Sequence, residues 1–197
     1  MNTIVNFRDF KERARELPTL LLIDLHYDVS GGVALEYDMA TCEALANCRA
    51  VLRHARACGI PVAFTRRVEQ SESMLASPIY PRWIEGIEPN RWDMVFDRHR
   101  PSCYGSAEFR EVANEIDGNY VIAGRCGEGS CLATVVDASG RDHRPSVLAD
   151  ALLCGACDAV PVTTMLQAVT SILSQYADIV RTQPWIRATS RRVGAIK

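Results

Sequence analysis

Short apolar runs of strand length alternate along this chain with longer segments in which apolar residues have helical spacing. The clearest run is Thr19–Ile23, a continuous apolar stretch typical of a strand that is buried on both faces of a parallel sheet. The clearest helical segment is 39–58, which ends at Gly59. The connections between strands are longer than the about ten residues that a parallel crossover needs. The pattern therefore predicts an α/β fold, a doubly wound parallel sheet with helices on both faces.

The same reading places the other elements along the chain. Further strands are predicted at 61–65, 94–96, 120–123, 147–149 and 178–181, and further helices at 7–17, 107–116, 129–141 and 163–176. Residues 66–101 have little periodicity apart from their short strand, and a loop this long in a compact domain is usually functional. In such sheets a ligand binds outside the carboxyl ends of the strands, where the strand order switches.

Composition narrows the classes of protein to consider. The 197 residues suit one domain, and 48% hydrophobic with 23% charged residues is ordinary for a globular protein. A net charge of −2 gives no reason to expect binding to nucleic acid or to an anionic membrane. No apolar run approaches the roughly 20 residues of a membrane span, and the first residues lack a signal-peptide pattern. We expect a cytoplasmic protein whose partner is a small-molecule substrate.

The eight cysteines predict packing rather than chemistry. Cys42, Cys48 and Cys58 fall on one predicted helix, where a small apolar side chain packs well. Cys154 and Cys157 form a C-x-x-C pair, which alone could indicate redox chemistry or half of a zinc site. No second pair with suitable spacing follows, so we predict neither a metal nor a cofactor. In a cytoplasm the thiols stay reduced.

Three segments at predicted strand ends carry the chemistry. Leu21–Asp28 ends the first strand in acidic residues, Arg98–Tyr104 follows the third strand, and Ala123–Ala138 joins the fourth strand to a helix. Together they resemble the isochorismatase-like hydrolases, over about residues 18–186. The resemblance implies a single Rossmann-like, three-layer α/β/α domain at 18–190 with a six-stranded parallel sheet. The charged amphipathic pattern before it predicts an N-terminal helix within 1–17. The resemblance also implies a homo-oligomer, a dimer or a tetramer.

The triad of that family is Asp, Lys and Cys, and the resemblance carries it onto Asp24, Arg98 and Ser130. Neighbours on a helix point about 100° apart, so only one of Ser130 and Cys131 can face a site. Cys131 shares an apolar stripe with its helical neighbours, whereas Ser130 lines up with Thr134 on a more polar face. We therefore expect Ser130 in the site and Cys131 in the core. True isochorismatases likewise lack a cysteine at this position.

The chemistry implied by that likeness is hydrolysis of a small anionic metabolite without an enzyme nucleophile. The aspartate protonates the methylene carbon of an enolpyruvyl vinyl ether, water adds to the resulting cation, and pyruvate leaves. Burial would raise the pKa of Asp24 and let it hold that proton, although an adjacent Arg98 would lower the pKa again. The conflict eases if Arg98 reaches outward and clamps a substrate carboxylate through two bonds.

Several other residues are candidates for substrate binding, each with a structural alternative. Glu128 could hydrogen-bond the substrate or only favour a helix start, and Trp83 could lie over the substrate or pack within the loop. Arg67 could bind an anion or be solvated, and His26, where the family usually has glutamine, is expected to be structural. The remaining candidates are Tyr104, Cys126 and Cys131. The resemblance also implies a cis peptide bond between Arg125 and Cys126.

Two other functions remain open from the sequence. A cysteine amidohydrolase would use Cys131 or Cys126 as the nucleophile, with Asp24 as the base. A catalytically silent member of the family would serve as a binding or assembly module, because two of the three triad positions depart from the common pattern.

Overall fold

A six-stranded parallel sheet forms the centre of the protein, in the order β3-β2-β1-β4-β5-β6. The computed structural model describes residues 17–27, 39–68, 80–155 and 160–196. The strands are β1 Thr19–Ile23, β2 Val62–Arg67, β3 Met94–Arg98, β4 Tyr120–Arg125, β5 Ser146–Leu153 and β6 Asp178–Val180. The helices of these residues are α1 Met39–Cys58, α2 Ala107–Glu115, α3 Leu132–Ser139, α4 Val162–Leu173 and α5 Thr182–Ile196, with a 3₁₀ turn at Cys103–Gly105 and a π-helix at Gly127–Cys131. The predicted α/β class and parallel sheet are confirmed.

The central strand β1 is buried on both faces because its side chains alternate between two apolar clusters. Leu20 and Leu22 pack in the cluster that includes α1 and α5, whereas Leu21 and Ile23 pack in the cluster that includes α2, α3 and α4. Alternate residues of a strand point to opposite faces, so a strand covered on both sides is apolar throughout. The continuous run in the sequence therefore predicted both the strand and its double cover.

The predicted boundaries differ from the structure where polar residues lie inside an element. The prediction ended β5 at 149, but the strand continues through Asp150, whose Oδ1 accepts hydrogen bonds from the backbone N–H and the hydroxyl of Thr182 at 2.8 and 2.9 Å. Those bonds satisfy the carboxylate and hold the start of α5, a helix that the sequence reading missed. The predicted helix at 129–141 is divided between the π-helix and α3. The helix predicted at 7–17 lies, except for Leu17, outside the described residues.

Gly124, in β4, allows the two central strands to approach closely. Its φ is 149°, and a Cβ atom at this position would lie 2.2 Å from the carbonyl oxygen of Ile23 in β1. We expect Gly124→Ala to lower the free energy of unfolding by about 2–3 kcal/mol, through backbone strain and overpacking. Urea unfolding measures the loss. Gly140→Ala is the control, because a Cβ there would meet its nearest atom at an ordinary 3.7 Å. Equal stability of the two variants would contradict this reading.

Candidate active site

Asp24 lies at the switch in strand order, directly after β1 and between the carboxyl ends of β2 and β4. Its backbone has a φ of 52°, a left-handed conformation that aspartate tolerates better than most residues, and its N–H donates to the carbonyl of Thr65 at 3.0 Å. Only 5% of the residue is exposed. The chain thus turns sharply at the end of β1 and leaves a shielded carboxylate at the edge where a ligand binds in this kind of sheet.

Arg98 ends β3 and is buried against that carboxylate. Its Nη2 donates a hydrogen bond to Asp24 Oδ2, and its Nη1 donates to the carbonyl of Arg100 at 2.6 Å. The residue is 1% exposed, so it is not a surface arginine. Arg98 does not reach outward in the way that would ease its conflict with an acidic Asp24, because both Nη atoms have partners inside the protein. Arg100, the other basic residue within reach of this position, is exposed.

The pKa of Asp24 is lowered from its usual value, and the sequence prediction of a raised pKa is wrong. Burial pushes the pKa up, as expected, and is the largest single influence. Interaction with His26, the positive charge of Arg98 and a hydrogen bond from Ser130 together push it down by more. Asp24 is therefore ionised at neutral pH, and the site is built around a carboxylate rather than a carboxylic acid.

The turn after β4 is a π-helix, whose wide turn decides which side chain faces Asp24. The N–H of Cys131 donates to the carbonyl of Cys126 at 3.1 Å, five residues earlier, and the N–H of Leu132 donates to the carbonyl of Gly127. Ser130 is 5% exposed and its hydroxyl bonds the Asp24 carboxylate. Asp24, Arg98 and Ser130, the three residues taken from the family triad, thus meet in one place.

Cys131 is turned away from the site into the apolar core. The residue is fully buried, and its thiol donates to the carbonyl of Arg125 at 3.3 Å. Burial raises the pKa of this thiol well above its usual value, and the negative charge of Asp24 raises it further. A thiol in such surroundings is a poor nucleophile, because the thiolate is the reactive form.

His26 also belongs to this cluster, although the sequence reading took it as structural. Its Nε2 lies 3.6 Å from Asp24 Oδ1, and its Nδ1 is 3.1 Å from the carbonyl oxygen of Tyr27. Trp83 pairs with His26 as an antiparallel bridge, and its ring meets the imidazole edge-on at 6.0 Å. The ring of Trp83 also packs on Phe64 at 5.4 Å. The spacing Asp-x-His, with a turn between them, was the sequence pattern that could have revealed this contact.

The structure does not bring Tyr104 to the site. Its hydroxyl is hydrogen-bonded to the hydroxyl of Tyr120 at 2.9 Å and to Nδ1 of His143 at 2.8 Å. Tyr120 is the first residue of β4, so this hydroxyl lies toward the amino end of the sheet, away from Asp24. The role of Tyr104 as a substrate contact stays a prediction, and its hydroxyl already has two partners inside the protein.

The other candidates lie along the carboxyl edge. Glu128 Oε1 accepts from the N–H of Gly155 at 3.1 Å, after β5. Cys126 is half-buried with a left-handed φ of 57°, and the peptide bond before it is trans, so the expected cis bond is wrong. Arg67 is exposed at the end of β2.

Arginines end the strands β2, β3 and β4 at the same edge of the sheet as Asp24. Arg66 and Arg67 end β2, and Arg98 and Arg125 end β3 and β4. Arg125 is half-buried and donates from Nη1 to the carbonyl of His26 at 3.3 Å. Arg98 is paired with Asp24 and Arg66 with Asp97, so the charges of these two arginines are balanced by carboxylates. Arg67 and Arg125 add positive charge to this edge of the sheet, and positive charge at the mouth of a site favours an anionic ligand.

A cavity of about 730 Å³ lies elsewhere, between the start of α1, the end of β5 and α4. Its lining includes Ala44, Leu153 and Leu166 and none of the residues around Asp24. Within the described residues, no three potential ligands are grouped so that they could hold a metal ion. No described helix has the length and apolar character needed to cross a membrane.

Known proteins share this fold. The family model of the isochorismatase domain matches residues 18–183. A cysteine hydrolase from Pseudomonas syringae pv. phaseolicola has a similar structure, with a TM-score of 0.74, 16% identity, and 92% of this chain and 95% of that chain covered. An isochorismatase from Pseudomonas putida has a TM-score of 0.71 and 20% identity, with 86% of this chain and 90% of that chain covered. N-carbamoylsarcosine amidase from Thermoplasma acidophilum has a TM-score of 0.63 and 22% identity, with 84% of this chain and 96% of that chain covered.

At these identities the structural matches show a shared fold and not a shared substrate. No curated protein has a significant sequence match to this chain. The family model spans nearly the whole described sheet, from the start of β1 to the start of α5. The chain therefore belongs to the isochorismatase family.

Proposed function

We propose that this protein is a hydrolase that adds water directly to a small anionic metabolite at Asp24, with no covalent cysteine intermediate. One observation carries the proposal: the hydroxyl of Ser130 is the side chain of this turn that lowers the pKa of Asp24, while the thiol of Cys131 donates to the carbonyl of Arg125. Without a thiol at the carboxylate, no thioester forms there. Ser130 is a poor nucleophile, because the carboxylate that it bonds has a lowered pKa and is a weak base.

The ionised state of Asp24 supports a role in binding and activating water. A carboxylate accepts a hydrogen bond from water. It also stabilises the positive charge that forms on a nearby base when that base takes a proton from the water. Arg67 and Arg125, at the ends of β2 and β4, support an anionic substrate, because they add positive charge to this edge of the sheet.

Hydrolysis of a vinyl ether with Asp24 as the acid is the second candidate. Burial favours it, because desolvation is the largest influence on the pKa of Asp24 and raises it. The dependence of kcat/KM on pH separates the two candidates. Water activation by the carboxylate predicts a value that is constant or rises between pH 5 and 8. An acid with a lowered pKa predicts about a tenfold fall for each pH unit over that range.

Cysteine chemistry is tested by Cys131→Ala, with isochorismate and N-carbamoylsarcosine as probes for the release of pyruvate and of ammonia. We expect the variant to keep kcat/KM within about twofold of the unmodified enzyme, because the thiol does not face Asp24. Alkylation of the unmodified enzyme with iodoacetamide is expected to leave its activity intact. Cys42→Ala is the matched control, since Cys42 is exposed.

Loss of activity on alkylation, or in Cys131→Ala alone, would favour a cysteine amidohydrolase and contradict direct water addition. Failure of the unmodified enzyme to hydrolyse either probe would contradict the proposal and favour a silent family member that acts as a binding module.

A further inference from the structure

Two buried hydrogen-bond acceptors face each other at the centre of the site. Asp24 Oδ1 and His26 Nε2 are 3.6 Å apart, and neither atom has a hydrogen-bond partner among the described residues. The other carboxylate oxygen, Oδ2, is bonded to Arg98. Both side chains are more than nine-tenths buried, at 7% and 8% exposure. A buried polar atom without a partner costs free energy, so this pair needs an explanation.

The tautomer of His26 follows from its second nitrogen. Nδ1 is 3.1 Å from the carbonyl oxygen of Tyr27, and a carbonyl can only accept, so Nδ1 carries the hydrogen. In the neutral ring Nε2 is then an acceptor, whereas in the protonated ring it donates toward Asp24, and that is the form that lowers the pKa of the carboxylate. The ring of Trp83 meets the imidazole edge-on, and Arg125 donates to the backbone carbonyl of His26. A carboxylate and a lone pair in these positions both require a donor.

A water molecule suits the two acceptors, because it has two hydrogens and can give one to each. With its oxygen about 2.8 Å from both atoms, such a water spans a separation of 3.6 Å. We propose that His26 is a catalytic residue of this site: Nε2 and Asp24 Oδ1 hold the attacking water between them, and Nε2 takes its proton. This inference rests on the proposed function, in which water adds directly to the substrate.

The step balances with groups that the site holds. The water oxygen forms a bond to the electrophilic carbon of the substrate, and its proton passes to Nε2. The bond to the leaving group breaks, and the leaving group takes the proton back from the imidazolium. An imidazole is ordinarily a stronger base than a carboxylate, so it is the better acceptor of the two. Asp24, from its place beside the ring, stabilises the imidazolium. The charged groups around the ring are Asp24, Arg98 and Arg125.

Replacement of His26 by glutamine tests the base. Glutamine can still accept a hydrogen bond from water but cannot take its proton. We expect kcat to fall about 10²–10³-fold in both His26→Gln and His26→Leu, with KM within about threefold. His99→Gln is the matched control, because the Nδ1 of His99 also lies against a backbone carbonyl, that of Val68 at 2.9 Å, in an exposed residue. A kcat of the unmodified enzyme in His26→Gln would overturn the inference.

A measurement without substrate tests the tautomer. The chain has four histidines, so the ¹⁵N resonances of His26 are assigned by their loss in His26→Gln. We expect the hydrogen of the neutral ring to be on Nδ1. A hydrogen on Nε2 would overturn the inference, because Nε2 would then donate to Asp24 and could not accept from water. If neither probe is hydrolysed, the proposed function fails, and the tautomer still decides whether Nε2 can accept a proton.

Discussion

Replacing Arg98 by methionine is expected to lower the free energy of unfolding by about 3–5 kcal/mol. The guanidinium is buried against Asp24, so its removal leaves a carboxylate without its counter-ion in a site with little access to water. The loss should appear as a lower urea midpoint with an unchanged dependence on urea concentration. Arg100→Met is the control, since Arg100 is exposed two residues further along, and its effect should stay within about 0.5 kcal/mol.

The pH dependence of this loss has a definite sign. Because the pKa of Asp24 is lowered in the folded protein, its stabilising contribution is fully present above the ordinary value of 3.8 and is lost as the pH falls through the folded value. The difference in stability between the unmodified protein and Arg98→Met should therefore be largest at neutral pH and shrink as the pH falls below about 4. A difference that is equal at all pH values would show that Arg98 contributes packing and not charge.

Asp24→Asn is expected to lower kcat/KM for the hydrolysed probe by at least about 10³-fold. The amide oxygen of asparagine can still accept from Arg98, but the variant lacks the negative charge that activates water and stabilises a protonated His26. Activity is measured at a temperature well below the unfolding midpoint, because the buried Arg98 also loses its counter-ion. Pyruvate and ammonia release from isochorismate and N-carbamoylsarcosine give the rates.

Asp97→Asn is the matched control for that substitution. Asp97 lies in β3, and its carboxylate pairs with Arg66 at 2.6 Å on the surface. Exposed ion pairs contribute about 0–1 kcal/mol, so this variant should keep both its fold and its activity. Unchanged activity in Asp24→Asn would show that the carboxylate takes no part in the reaction.

The sheet could be predicted from the sequence because a strand that is buried on both faces consists of an uninterrupted run of apolar residues. The run Thr19–Ile23 and the spacing of α1 reproduce the observed bounds of both elements. The end of β5 and the whole of α5 could not be predicted, since they depend on the bonds between Asp150 and Thr182, 32 residues apart. Pairing at such a distance is tertiary and leaves no local pattern.

The site was accessible to sequence reasoning only in part. Helical geometry separates Ser130 from Cys131, and the structure places their side chains in different surroundings. The pKa of Asp24 was predicted in the wrong direction because burial is visible in a sequence, whereas its balance against three neighbours depends on distances. The hydrogen bonds of the Tyr104 hydroxyl could not be predicted either, because its partners Tyr120 and His143 come from other elements.

The π-helix at Gly127–Cys131 also determines how an insertion or deletion would change the side chain that lies next to Asp24. Its bonds span five residues rather than four, so the turn holds one more residue than an α-helical turn would. Removing one residue from Gly127–Gly129 would tighten the turn and rotate the following side chains by about 100°. The neighbour at 131 would then present its sulfur where the oxygen of Ser130 now stands. Deletion of a single codon would therefore replace the hydroxyl next to the Asp24 carboxylate by a thiol.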